Sequence, residues 1–178
     1  MAEHTATRLL LMRLAFLGLG LVLVLFQLLP LQHVARQWAG PDLLIALALA
    51  WAFRRPDYVP ALSIAALFLL ADLLFQRPPG LLAALMVLGA ENVKTRARNL
   101  HEQTFLVEWF SFAVLVVSIT LIYRIVLTVL LTSQAPLGLS LIQAIMTIAI
   151  YPLVVLLSHL LLGMQKPNPG EINALGHR

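Results

Sequence analysis

The chain has no cysteine among its 178 residues, which excludes disulfides, a thiolate nucleophile and cysteine-bound zinc. Charge is also scarce. Asp, Glu, Lys and Arg together make up 11%, under half the ~25% of soluble domains. A chain so poor in charge cannot clothe its own surface in polar groups, which excludes an ordinary soluble enzyme and a disordered regulator. Catalytic signatures are missing: there is no HExxH, no P-loop, no GxSxG and no nucleophile–base pair. His4, His33, His101, His159 and His177 are scattered without ligand spacing, so neither a metal site nor a cofactor is expected.

What remains is apolar: 61% of residues are hydrophobic, against ~45–50% in soluble domains. Such a composition needs lipid as its solvent. The apolar runs predict six helices, over residues 9–31, 41–55, 58–75, 80–93, 105–131 and 137–163. Runs of this kind are helical, because barrel strands alternate over about ten residues. No small-x-small cleavage site follows the first run, so it is read as a retained helix rather than a signal peptide. The second run is short, with Pro41 in the favoured first-turn position and Arg54 and Arg55 able to snorkel at its far end. The expected class is all-α: a polytopic six-helix transmembrane bundle over residues 1–164, followed by a polar cytoplasmic tail over 165–178.

Charge supplies the orientation. A net charge of +4 in so apolar a chain points to cytoplasmic loops rather than nucleic-acid contact. With six crossings and the N-terminus inside, Arg8, Arg13, Arg54, Arg55, Lys94, Arg96, Arg98, Lys166 and Arg178 fall on the cytoplasmic side. Arg36 and Arg77 fall outside, and Arg124 lies within helix five. This is the positive-inside pattern, and it predicts that both termini are cytoplasmic.

Several polar residues fall within the predicted spans. Asp72 on helix three and Arg124 on helix five lie ~7 and ~12 Å from the outer helix ends at 1.5 Å per residue, near enough to pair. Alone at the bilayer centre, each would cost about 2.5–3.5 kcal/mol. Helix five carries Thr120, Arg124, Thr128 and Thr132 at i, i+4 spacing. Helix six carries Ser140, Gln143, Thr147, Tyr151 and Ser158. Both stripes are expected to face inward. One reading is a polar groove for a substrate or a partner helix. The other is interhelical hydrogen bonding that holds the bundle together, at about 0.6 kcal/mol per contact. The segment with Lys94, Arg96 and Arg98 is expected to be a basic cytoplasmic loop, binding anionic lipid headgroups or an acidic partner surface. Trp38, Trp51 and Trp109 fall near span ends, where aromatic belts form. Arg13 is read as snorkelling, and His159 as structural or as a proton relay.

The stretch Ala71-Asp72-Leu73-Leu74-Phe75-Gln76-Arg77-Pro78-Pro79-Gly80-Leu81 resembles the MreD family of bacterial rod-shape-determining membrane proteins. That family often carries Asp-Leu-Leu, a short polar turn and then Pro-x-Gly before the next span; Pro78-Pro79-Gly80 fits the Pro-x-Gly form. Pro41-Asp42-Leu43-Leu44 and Arg54-Arg55-Pro56 also look like the family's second helix and following turn, and length and span number agree. The resemblance implies a non-enzymatic inner-membrane scaffold of the peptidoglycan elongation complex, regulating cell shape. Such a protein binds MreC and, through it, is linked to MreB filaments, the RodA glycosyltransferase and its penicillin-binding transpeptidase.

The family is similar in overall fold to the S-components of energy-coupling-factor transporters, which supplies an alternative: capture of a vitamin or other small molecule in an outward pocket near Asp72 and Arg124. Against this, helix one has Ala15 followed by Leu19, so the Ala-x-x-x-Ala docking face of S-components is missing.

Overall fold

The computed structural model describes residues 2–29, 39–99, 104–132 and 134–162. These form an all-α, six-helix bundle: α1 (Ala2–Leu28), α2 (Leu43–Arg54), a 3₁₀ turn (Pro56–Tyr58), α3 (Ala61–Leu74), α4 (Leu81–Asn99), α5 (Phe105–Val129) and α6 (Leu137–Leu162). No strand occurs among the described residues. Three stretches are long and apolar enough to cross a membrane: Thr7–Leu28, Phe105–Val129 and Leu137–Leu160.

The shortest helix lies at the centre. At 1.5 Å per residue α2 is only ~18 Å long, short of the ~30 Å hydrocarbon core. Its sequence, Leu-Leu-Ile-Ala-Leu-Ala-Leu-Ala-Trp-Ala-Phe-Arg, has no polar face, and a helix apolar all round is one that neighbours surround. Residues Ala46 to Ala52 are all buried. Its alternating alanines let α6, α4 and α1 approach closely. Asp42 caps its start, its Oδ1 accepting from Ile45 N at 3.2 Å.

The remaining contacts set the directions. Thr147 meets Asp42 and Ser158 meets Trp51, so α2 and α6 run parallel. Arg54 meets Glu108 and Arg124 meets Ser140, so α5 runs antiparallel to both. One end of the bundle therefore gathers the starts of α2, α4 and α6 with the ends of α3 and α5; we call it the Asp72 end. The opposite end, the Glu108 end, gathers the end of α2 and the starts of α3 and α5. Both α3 and α5 finish in the same six-residue closure. In α3, Arg77 N donates to Asp72 O at 2.9 Å and Gln76 N to Leu73 O at 3.3 Å. In α5, Thr132 N donates to Leu127 O and Leu131 N to Thr128 O, both at 3.1 Å. This closure needs a left-handed residue, and here Gln76 (φ 54°) and Leu131 (φ 51°) supply it.

The apolar run alone ends helix four at residue 93, but α4 continues to Asn99. Lys-Thr-Arg-Ala-Arg is rich in straight-chain helix formers and holds neither Gly nor Pro, so the polar segment continues the helix. The expected basic loop of Lys94, Arg96 and Arg98 is thus helical. The tail 165–178, together with Arg36, Trp38 and His33, lies outside the described residues.

Gly20 lets α1 meet α3: a Cβ there would overlap the side chain of Leu67, which is 3% exposed, whereas a Cβ at Gly18 meets nothing within 4 Å. Gly20→Ala should cost about 1–3 kcal/mol through forced repacking. Gly18→Ala should be neutral or gain up to about 1 kcal/mol of helix propensity. Thermal unfolding of the two variants in detergent checks the contrast.

Candidate functional site

At the Asp72 end, the expected ion pair between Asp72 and Arg124 is not made. Asp72, fully buried on α3, directs Oδ2 to the backbone N–H of Gly80 at 3.1 Å and of Ala83 at 3.4 Å. Both donors belong to the start of α4, whose first N–H groups have no partner within their own helix. The α3 carboxylate therefore caps the next helix and meets the positive end of its dipole. Gly80 sits at φ +85°, a conformation open to glycine and strained for other residues, and the Pro78-Pro79 pair supplies the rigid approach to it. Asp72 Oδ1 is buried and has no hydrogen-bond partner among the described residues.

Arg124 reaches instead along the α5–α6 connection. Its Nη1 donates to Ser140 Oγ at 2.6 Å and to Ala135 O at 3.1 Å. Gln134 Nε2 folds back onto Thr128 Oγ1 at 2.9 Å and Arg124 O at 3.3 Å. Beside this connection lies a cavity of about 260 Å³, walled by the starts of α2, α4 and α6 and the second half of α5. Thr120, Arg124, Gln143 and Thr147 line it, with Arg77, Tyr123 and Asp42.

The two polar stripes divide in use. Thr120 and Thr128 bond the carbonyls four residues back, Val116 O at 2.8 Å and Arg124 O at 2.9 Å, as helical hydroxyls do when they lack another acceptor. Thr128 and Thr132 are exposed rather than inward, because the bundle's neighbours to α5 do not reach that far along its face. On α6 the stripe joins helices. Thr147 Oγ1 donates to Gln143 O at 2.7 Å and accepts from Asp42 N at 2.8 Å, and Ser158 Oγ accepts from Trp51 Nε1 at 3.2 Å. Trp51 is thus a core residue, 1% exposed, and not part of an interfacial belt; the indole N–H finds its acceptor on the helix that packs over it.

The Glu108 end holds a cluster that no sequence motif marks. Glu108, 1% exposed, accepts from Arg54 Nε at 3.0 Å and from Tyr151 Oη at 2.8 Å through the same Oε1. The Tyr151 ring stacks on Phe112 with centroids 4.0 Å apart. One signal in the sequence points here: Glu108, Phe112, Val116 and Ile119 share one α5 face, and all four are buried. An acid on a face otherwise apolar needs a buried cation. Next to it, Trp109 Nε1 donates to Ile148 O at 2.9 Å. Pro152 lies four residues beyond Ile148 within α6 and has no N–H to offer that carbonyl. The α5 indole takes the missing donor's place.

Of the basic segment, Lys94 is 6% exposed, its ammonium bonded to Val59 O and to Glu91 Oε1. Arg96 borders a groove of about 550 Å³ between α4 and α5, and the side chain of Arg98 lies outside the described residues. Arg13 donates to Asp57 O at 3.1 Å, tying α1 to the 3₁₀ turn. No group of three or more metal-ligating side chains occurs among the described residues.

Substitutions at Asp72 and Trp109 test these bonds. Asp72→Ala should cost about 1–2 kcal/mol, the usual worth of a helix cap, and Asp72→Asn less, since its amide oxygen still accepts. Trp109→Phe should cost about 1–3 kcal/mol by stranding the Ile148 carbonyl. With Pro152→Ala already in place the same change should cost less, because the alanine N–H restores the helical donor to that carbonyl. A double-mutant cycle by thermal unfolding measures the coupling.

No protein-family model, curated protein or solved structure matches this chain.

Proposed function

We propose that this protein is a non-enzymatic scaffold of the bacterial inner membrane, crossing it six times with both termini cytoplasmic. In this reading it belongs with the MreD-like proteins of the peptidoglycan elongation complex. It binds MreC and so connects MreB filaments to RodA and its penicillin-binding transpeptidase. The observation that carries the reading is where the buried polarity is used. Asp42, Asp72, Glu108, Thr147, Tyr151 and Ser158 each bond another helix or the start of one, which suits a rigid support rather than a reaction centre. The charge distribution supports the orientation: Arg13, Arg54, Arg55, Lys94 and Arg96 lie toward the Glu108 end and Arg77 and Arg124 toward the other.

A place for a single partner helix also supports the reading. The α4–α5 groove has Gly89, Ser111 and Ser118 along it, between Leu88, Phe110, Val114 and Ile122. Small residues flanked by large apolar ones are the surface on which transmembrane helices pack. We assign the MreC membrane helix to this groove.

Purification in mild detergent from a rod-shaped bacterium should recover MreC with the wild-type chain. Ser118→Trp, which fills the groove, should cut that recovery at least several-fold while leaving chain level unchanged. Absence of MreC from the intact wild-type preparation would remove the scaffold reading. Because the chain lacks cysteine, a membrane-impermeant maleimide should label Thr132→Cys in intact cells, and Arg96→Cys only after permeabilisation. The reverse pattern would invert the orientation.

The vitamin-capturing alternative rests on the cavity at the Asp72 end. At about 260 Å³ it lies just under the roughly 300–1,000 Å³ of small-molecule sites, a size suited to a headgroup more than to a whole vitamin.

A further inference from the structure

We propose that the cavity at the Asp72 end is a binding site for a phosphate or carboxylate group, held by Arg77 and Arg124. The inference stands on the cavity and does not depend on the scaffold reading.

The Arg77 guanidinium lies over the Phe75 ring, its Cζ 5.1 Å from the centroid. None of its side-chain nitrogens donates a hydrogen bond to a described residue. Arg124 is held from one side only: Nη1 makes both of its bonds, leaving Nε and Nη2 for another acceptor. Tyr123 and Gln143 also line the cavity, and neither side chain makes a hydrogen bond to a described residue. Two guanidinium groups and two neutral polar side chains around one cavity are the kind of donor set that an oxyanion accepts from, since it takes charge-assisted bonds from several directions.

The local charge agrees. Asp42 and Asp72 are the nearby carboxylates, and both are directed at backbone N–H groups at helix starts: Asp42 at Ile45 of α2, and Asp72 at Gly80 and Ala83 of α4. The positive ends of those helices meet their negative charge. The arginines have no carboxylate of their own within ion-pair distance among the described residues. Asp72 attracts Arg77 from beyond ion-pair distance, but no described carboxylate touches either guanidinium; a bound anion would meet both directly. Gln134 and Ala135 line the cavity beside the second half of α5, so the candidate anions are a free solute and the headgroup of a lipid lying against α5.

The test uses the full-length protein in a neutral detergent, with thermal stabilisation as the readout. The probes are inorganic phosphate for the solute and short-chain phosphatidylglycerol for the lipid, with phosphatidylcholine as the zwitterionic control. Saturable stabilisation by phosphate, or by phosphatidylglycerol beyond phosphatidylcholine, is expected. Phosphate alone identifies a solute site; phosphatidylglycerol alone identifies a lipid site. Arg77→Gln should weaken the effective probe about tenfold, the usual consequence of losing one charge-assisted bond. The Arg77 side chain makes no hydrogen bond to a described residue, so this variant should fold even if Arg124→Gln does not. Arg96→Gln, at the far end of α4, should leave binding unchanged. Stabilisation by neither probe would overturn the proposal. So would an unchanged affinity in Arg77→Gln, or an equal loss in Arg96→Gln, which would show attraction to net charge alone.

Discussion

Inside an apolar bundle a polar group cannot turn to water, so its partner has to come from another part of the protein. That requirement organises this structure. The central helix α2 is held not by a polar face of its own but by α6 hydroxyls that meet it at both ends: Thr147 at the Asp42 amide and Ser158 at the Trp51 indole. These two bonds fix the register of α2 along α6. The alanines between them let the two helices close, and they make few demands on side-chain geometry. Hydrophobic burial would tolerate a slide of one helix past the other; hydrogen bonds with defined donors and acceptors would not.

The same requirement explains two features that look like irregularities. Pro152 within α6 leaves the Ile148 carbonyl without its helical donor, and Trp109 on α5 supplies one. The defect in one helix thus becomes a tie between two. At the α3–α4 turn, the first amides of α4 have no partner in their own helix, and Asp72 reaches across from α3 to accept from them. In both cases a local deficit is met by a neighbouring element, so the packing of the helices and their polar chemistry depend on each other.

Polarity is used differently at the two ends. At the Glu108 end the groups close on themselves: one carboxylate oxygen accepts from both Arg54 and Tyr151, sealed beneath Phe112. At the Asp72 end the carboxylates face backbone amides, and the arginines are left around a cavity. The first arrangement is a clasp and the second an opening.

Composition and run length are enough to read six helices and an all-α class, because helix formation in an apolar setting depends on local periodicity and on the need to satisfy the backbone within each segment. The N-cap of α2 by Asp42 and the left-handed Gly80 are equally local. Partners are another matter. Asp72 and Arg124 look like an ion pair when only their depth along two helices is known, and Trp51 looks interfacial from its place near a helix end. Which residues face each other depends on helix rotation and direction, quantities that sequence spacing along one helix does not contain. The chain alone therefore determined the six apolar helices, though not the polar extension of α4 to Asn99; the packing decided which polar groups became partners, because a hydrogen bond between helices exists only once both have taken their relative rotation and register.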